Sequence, residues 1–592
     1  MINIEIGNEA AHSHMRRRGD MGALCLLLLM GALSGCSRGM RGEPVSREHT
    51  RPIEAASSAE HAAAPVFMPV PGLSEGFRYD IKASTDAPDA EHGFEGFGSS
   101  YARDTLSIFC FRGGHRRDRA SLGHVTGRPV DVVLDWRFNT AASARGDEPD
   151  RWGGGAGWTG QPLLIHWNRE QKLRLGIRDR AFVDNDDAME LVIGSLSGNV
   201  YFLDAATGAP TREHLHLGNP IKGTVSVDPR KNGLLYVGQG IPYTDRFGAR
   251  VFDMFTRQEL LHIAGNDAFS HRRWGAFDGN AIVDERSGTV FWAAESGLVH
   301  RFTIGEDLKV RGAMRMRYAR PGMAKQGIES SMAVIADMGF VADNSGTVLC
   351  VDLRTMTPVW SVDNGDDTDA TIVVDEESPG RYSLYTASEV DLTGPVGEAH
   401  LRKLDAATGR EIWRVSRICR SEPLGGRTNS GGVLATPLIV RHEGRTIVYA
   451  IFSRTDEFAR GECVAIDART GHELFSIQMN RYSWSSPAGF HDEDGNPYVF
   501  FSDVSGIVYV VDALTGEVLV RKRTGHLFES SPIVFHDRAY IASRGRAILG
   551  FRIITSATDP VAVAPAAARR TASSRGTRIG AETRHQGNPQ GG

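Results

Sequence analysis

Side chains rich in oxygen are the first candidates for chemistry in this 592-residue chain. Asp184-Asn185-Asp186-Asp187 with Glu190 has the composition of a calcium loop, because hard cations take oxygen ligands. Asp187, however, stands where such a loop needs glycine, and Phe182 where a first acidic ligand belongs. The segment is therefore read as a solvated turn, and no metal site is assigned. A second set is scattered along the chain: Trp158, Lys222, Asp278, Glu329, Asp369, Thr436, Trp484 and Glu529. Each lies in a short segment just ahead of a strand-like run. If those runs are inner strands of one closed architecture, the acids, the lysine and the two tryptophans meet at one mouth. Convergent polar groups in a concavity are the default form of a small-ligand or cation site.

Covalent chemistry has less to stand on. No nucleophile elbow is assigned, HExxH is absent, and so is the phosphate-loop pattern G-x-x-x-x-G-K-[ST], so no catalytic residue is named. Cys25, Cys36, Cys110, Cys350, Cys419 and Cys463 contain no CxxC, which argues against a thiol metal site. Cys350 and Cys463 fall on strands placed two blades apart and are expected to stay unpaired as small buried hydrophobes. A formal net charge of -5 gives no reason to expect nucleic acid. The hydrophobic content of 41% suffices for a core, and 67 glycines point to a turn-rich body.

The first residues carry an address. Arg16-Arg17-Arg18 precede the apolar run from Gly22 to Met30, and small residues follow. That is the charged, apolar, then small order of a secretion signal. The run falls short of the about 20 residues that span a bilayer. It ends in Leu33-Ser34-Gly35-Cys36, which resembles a bacterial lipobox. The resemblance implies diacylglycerol on the Cys36 sulfur, cleavage before it and acylation of the new amino terminus; Met15 is an alternative start, because the residues before it fit no signal pattern. Residues 1–35 are thus read as a lipoprotein signal peptide and 36–95, rich in Ala, Pro, Ser and Glu, as a flexible linker. Residues 96–555 form the folded body, and 556–592 a disordered basic tail.

Self-similarity organises that body. Val200-Tyr201-Phe202-Leu203-Asp204-Ala205-Ala206-Thr207-Gly208 recurs as Leu404-Asp405-Ala406-Ala407-Thr408-Gly409, as Ile466-Asp467-Ala468-Arg469-Thr470-Gly471, and as Val511-Asp512-Ala513-Leu514-Thr515-Gly516. Weaker copies sit at Asp253, at Asp352 and at Val299 to Thr303. The pattern is a hairpin: Asp bonds nearby backbone donors to start the turn, and Gly takes the positive φ that closes it. A large apolar residue such as Trp360 or Trp413 then follows on the next strand. Counting gives eight copies. The last, at Ala547 to Ile553, lacks a fourth strand. Val132 to Phe138 supplies one from the other end, with Trp136 in the position of Trp413. The expectation is an all-β, eight-bladed propeller whose N-terminal strand closes the last blade, leaving no exposed edge at the seam.

Over roughly residues 160–553 these repeats resemble the PQQ-like (quinoprotein-type) family, which includes quinoprotein alcohol dehydrogenases and the propeller lipoproteins of outer-membrane assembly. Phe111-Arg112-Gly113-Gly114 also looks like a segment that precedes the first blade in such proteins. For a dehydrogenase, the resemblance implies a quinone on the axis over a tryptophan, a disulfide between adjacent cysteines, a calcium ion and an aspartate base. This sequence has neither adjacent cysteines nor CxxCH, although Trp484 or Trp274 could serve as a stacking floor. The reading is therefore a lipid-anchored envelope propeller acting as a non-catalytic binding or assembly scaffold. It is expected to be a monomer with a protein, peptide or glycan partner and no cofactor. The alternatives are a PQQ-dependent dehydrogenase with calcium, and a small-ligand or cation binder using the axial mouth.

Overall fold

The computed structural model describes residues 67–84, 93–142, 155–323, 326–424 and 427–558. The signal segment, Cys36 and the tail beyond residue 558 lie outside the described residues. The body is built from eight four-stranded antiparallel blades. Blade 1 runs Leu163–His166, Met189–Gly194, Asn199–Asp204 and Leu215–His216. The inner strands of blades 2 to 8 are Ser226–Val227, Ile282–Val283, Ala333–Ile335, Val373–Ser378, Leu438–His442, Ala488–Asp492 and Ile533–Phe535. Blade 8 is completed by Pro129–Asn139, antiparallel to Ala547–Thr555, so the chain closes its own ring as expected.

The repeat explains how blades lock together. Asp204 accepts from the Ala206 amide at 2.8 Å and from the Thr207 hydroxyl at 2.7 Å, and Asp467 does the same for Thr470 at 2.9 and 2.7 Å. Against the glycine of each such turn lies an aromatic ring from the preceding blade. Trp136 donates its indole N–H to the Ala205 carbonyl at 3.0 Å, Trp360 to Ala406 at 3.1 Å, and Trp413 to Ala468 at 3.1 Å. A Cβ at Gly208 (φ +71°) would come within 2.3 Å of the Trp136 ring. Glycine is thus required twice over, for its φ and for the space the indole fills. Trp136 sits where the repeat predicts it.

Two other devices are not legible in the repeats. Arg78–Ala83 lies antiparallel on the outer strand of blade 3, Val310–Ala319, as a fifth strand. The sequence reading places these residues in a flexible linker. The structure instead ties residues 67–84 along the rim, with Phe67 buried between Phe340 and Tyr382. Arg-Tyr-Asp-Ile-Lys-Ala alternates polar and apolar residues over one short run, and an open strand edge supplies the backbone donors and acceptors it pairs with. Asp80 adds an ion pair to Arg317 at 2.7 Å.

The second device is a plug. Residues 108–125 cross one end of the central channel and bond to inner strands around it. Ile108 donates to the Leu164 carbonyl at 2.7 Å, and the Phe109 carbonyl accepts from Val227 at 2.9 Å. The His115 carbonyl accepts from Val334 at 2.7 Å, that of Arg116 from Val374 at 2.9 Å, and Leu122 donates to Val534 at 2.8 Å. Gly123–Val125 then pairs in parallel with blade 7. The Arg112 guanidinium, 1% exposed, donates to the Pro487 and Pro437 carbonyls at 2.6 and 2.8 Å. Burial lowers its pKa to about 9, so it remains a cation at neutral pH. Gly113 has φ +76°, and a Cβ there would meet the Arg119 carbonyl oxygen at 2.0 Å. The Phe-Arg-Gly-Gly segment is thus the central knot of the plug.

Candidate functional site

At the other end of the channel, the segments that lead into the inner strands crowd around the axis. Hydroxyl side chains there join one blade to the next. The Asn280 amide donates to Ser331 Oγ at 3.1 Å, Ser331 to Thr371 Oγ1 at 3.0 Å, and Thr371 to Thr436 Oγ1 at 3.1 Å. Thr436 continues to Ser486 Oγ at 2.9 Å, Ser486 to Ser531 Oγ at 3.0 Å, and Ser531 Oγ donates to the Thr159 carbonyl at 3.0 Å. This girdle gives Thr436 a structural role. It also means that the acids nearby are not needed to satisfy the inter-blade backbone.

Those acids form two groups: Asp278, Glu295 and Glu329, and Asp367, Asp369 and Glu389. Within each, one oxygen per residue lies within 4.8 Å of the others. Asp278, Glu329, Asp367 and Asp369 come from the segments before inner strands. Glu295 comes from the turn after the second strand of blade 3, Thr289–Ala293, and Glu389 from the short strand Glu389–Val390 that follows the second strand of blade 5, Arg381–Ala387. Asp278, Glu329 and Asp369 line a cavity of about 30 Å³ together with Thr371 and Thr436, and Phe111 of the plug.

The first group is already answered by a cation. The Lys222 ammonium bonds Asp278 and lies 3.6 Å from Glu295 and 3.9 Å from Glu329. Arg272 approaches Glu295 at 3.5 Å, and Lys222 sits 5.8 Å from the centre of the Trp158 ring. Burial alone would favour a neutral Lys222. The three carboxylates outweigh it and hold the ammonium pKa above its ordinary value. Even so, Asp278 Oδ1 has no hydrogen-bond partner, and the Asp278 side chain is only 8% exposed.

The second group has no such answer. Among the described residues, none of its three carboxylates forms an ion pair. Glu389 accepts from the Asp369 amide at 3.2 Å, while Asp367 Oδ1 and Asp369 Oδ1 have no partner. Burial, then repulsion from neighbouring carboxylates with Glu329 of the first group among them, pushes all three carboxyls well above the usual carboxylate range, although Lys222 acts against this at Asp369. Asp366 beside them is fully engaged, accepting from the amides of Asp391 at 3.1 Å and Leu392 at 2.8 Å.

The residues singled out from sequence thus meet at this end, in two different settings. Lys222, Asp278, Glu329 and Asp369 belong to the acidic mouth. Trp158 and Trp484 pack together with ring centres 5.1 Å apart at 57°, and Glu529 pairs with Arg544 at 2.8 Å beside them. Glu295, Asp367 and Glu389 were not singled out. Asp367 is two residues from one that was, and the two glutamates follow second strands, away from the segments that lead into inner strands. The sequence reading assigns no metal site; the fold brings these oxygen donors together in two clusters. The Asp184–Glu190 segment, by contrast, is structural. Glu190 accepts from the Trp167 indole at 2.9 Å and from Arg212 at 2.9 Å, and Asp184 pairs with Arg169 at 2.9 Å. One motif escaped the sequence reading. Gly72-Leu73-Ser74-Glu75-Gly76 has the G-x-S-x-G form, but Ser74 Oγ lies on the rim 3.0 Å from Ser361 Oγ and has no imidazole as a partner there.

The quinone implied by the resemblance does not fit these residues. PQQ is a flat tricyclic tricarboxylate, and the mouth presents it with carboxylates. Trp158 and Trp484 tilt against each other, and Trp274 is 38% exposed beside Phe247. The cavity of about 30 Å³ has room for about two waters. Calcium takes six to eight oxygens; Lys222 already occupies the first group, and the second brings three carboxylates together without the tryptophan floor that the resemblance implies.

Comparison with known proteins defines the class. Residues 278–549, a little under half of the chain, match the family model described as outer membrane protein assembly factor BamB. Together with the eight blades, this makes the chain a β-propeller of PQQ-like repeats. Among curated proteins, it is 22% identical over 369 residues to a "Probable quinate dehydrogenase (quinone)" of Xanthomonas campestris pv. juglandis. That match covers 54% of this chain and 45% of the other, so the chain spans less than half the length of that relative. Among solved structures, the quinohemoprotein alcohol dehydrogenase ADHIIG of Pseudomonas putida HK5 superposes with a TM-score of 0.53 at 12% identity, over 76% of this chain and 80% of that one. The quinohemoprotein alcohol dehydrogenase of Comamonas testosteroni gives 0.51 at 13%, over 76% and 81%. At these identities the likeness is one of fold.

Proposed function

We propose that this chain is a non-catalytic binding propeller of the bacterial cell envelope, tethered through Cys36, that receives a positively charged ligand at its acidic mouth. The observation that carries the reading is the charge of the mouth. Buried carboxylates with unpartnered oxygens face a cavity whose walls are already bonded to one another by hydroxyls. Such a site attracts cations and repels an anionic quinone. The family model, named for an outer-membrane assembly factor, supports an envelope location. No helix among the described residues is long and apolar enough to cross a membrane, which leaves attachment to the lipid on Cys36 in this reading.

The test is reconstitution of the purified chain with PQQ and calcium, followed by dye reduction with primary alcohols and with quinate as substrates. The expected rate equals the blank. Reduction that depends on substrate and disappears in Asp369→Ala would overturn the binding reading in favour of a quinoprotein dehydrogenase. For the tether, Cys36→Ala should accumulate as an unprocessed, unlipidated precursor; processing and mass identical to wild type would remove it.

A further inference from the structure

We infer that the ligand of the mouth is a primary alkylammonium, bound at Asp367, Asp369 and Glu389 in the way that Lys222 is bound at Asp278, Glu295 and Glu329. The inference rests on the reading of the mouth as a site for positive charge and names the chemistry of that charge. The argument begins with the twin arrangement. Each triad holds three carboxylates with oxygens within 4.8 Å of one another. In one of them the molecule shows what fills the space: a lysine ammonium, bonded to Asp278 and within reach of both glutamates.

The geometry of the empty triad suits the same group. An ammonium has three donors and no acceptor, and three oxygens at charge-assisted distance around it stand about 4.6 Å apart. Asp367 Oδ1 and Asp369 Oδ1 are acceptors without donors, and Glu389, 2% exposed, completes the set. Asp278 Oδ1, also without a partner, comes from the same cavity wall as Asp369. The hydroxyl girdle relieves these oxygens of any duty to the backbone, apart from the one bond from the Asp369 amide to Glu389. An ammonium directs three donors toward three oxygens, whereas a planar guanidinium holds its donors in one plane and cannot meet the triad in the same way. The alkyl chain can belong to a lysine side chain of a protein or to a free polyamine; the bound chemistry is the same.

The experiment titrates the full chain by calorimetry with acetyl-Ala-Lys-Ala-amide, its Nε-acetyl form, the arginine analogue, spermidine and calcium chloride. The lysine peptide or spermidine should bind saturably at one site. Nε-acetylation should abolish binding, and Asp369→Asn or Glu389→Gln should weaken it at least tenfold. A tighter peptide assigns the ammonium to a protein partner, and a tighter spermidine to a polyamine. Lys222→Ala provides an independent arm. Propylammonium restores the missing part of that side chain, so it should raise the variant's melting midpoint by about 2 °C or more, while propanol should not. Should Lys222→Ala fail to fold, Lys222→Met and the wild-type titration carry the test. No saturable binding of either amine, equal binding of the acetylated peptide, or occupancy by calcium alone would overturn the inference. Binding of the arginine peptide or calcium without the amines would overturn it while leaving the acidic, cation-binding mouth intact. PQQ-dependent dye reduction in the same preparation would remove the underlying reading.

Discussion

Two carboxylate triads share one channel mouth: Lys222 and Arg272 pair with one, and among the described residues no carboxylate of the other forms an ion pair. The filled triad behaves as a structural ion cluster. Its cost of desolvation is offset by attraction at short range, and its ammonium joins blade 2 to blades 3 and 4. The open triad pays the same desolvation without the offset, so its carboxyls retain protons to unusually high pH. Burying three acids side by side is unfavourable in the ligand-free molecule. Its presence beside a girdle of hydroxyls that already joins the blades is the mark of a site whose partner comes from elsewhere.

The comparison can be broken most forcefully by making the triads alike. Lys222→Ala leaves three buried acids without their ammonium and should destabilise the fold by about 3–5 kcal/mol in denaturant titration. A loss below about 1 kcal/mol would mean that the filled triad is no more stable than the open one. Asp367→Asn works in the opposite direction. It removes a carboxyl whose ionised form is disfavoured by folding, so it should stabilise the chain by about 1–2 kcal/mol at neutral pH.

Acidity sharpens the contrast. The carboxyls of the open triad, like Glu295 and Glu329, have pKa values raised in the folded state above their unfolded values. The stability they contribute is therefore fully present below the ordinary carboxylate range, near about pH 4, and is lost as pH rises through their folded values. Lys222 is raised in the folded state as well, but from an amine value that lies far above neutrality, so it adds no slope there. The stability difference between wild type and Asp367→Asn/Asp369→Asn should accordingly grow from pH 5 to pH 8, and a constant difference would contradict the assignment. The smallest effect is expected at Trp158, whose ring lies beside the Lys222 ammonium. Trp158→Leu should cost about 0.5–1 kcal/mol from that contact and leave amine binding within about twofold.

Much of this architecture is written in local pattern. The Asp and Thr-Gly turns mark each blade because a hairpin needs those residue types at those places, and Trp136 reveals the closing strand because its indole must meet the same glycine turn as Trp413 does. The segments before inner strands point to Lys222, Asp278, Glu329 and Asp369 for the same reason. What stayed hidden depends on contacts between distant residues. Glu295 and Glu389 carry no repeat signature and gain meaning only when the ring closes and brings them beside Asp278 and Asp369. Arg112 and Arg117 resemble surface arginines, yet both are buried, and Arg117 donates to the Met332 carbonyl at 2.8 Å. Arg78–Ala83 alternates over only six residues in a polar stretch, and its partner is an edge more than two hundred residues further on.

The plug has a consequence for how the molecule is made. Residues 108–125 precede every blade in the chain, yet they bond to inner strands as far along as Val534. Synthesis delivers this segment first, and the ring is wound around it, with the last wedge sealed by the strand from Pro129 to Asn139 that follows directly after. A circular permutant that opens the chain between residues 142 and 155 and joins the old ends would present the wedges before their axle. Such a permutant keeps every native contact but should refold with a slow phase in which a complete ring waits to be threaded.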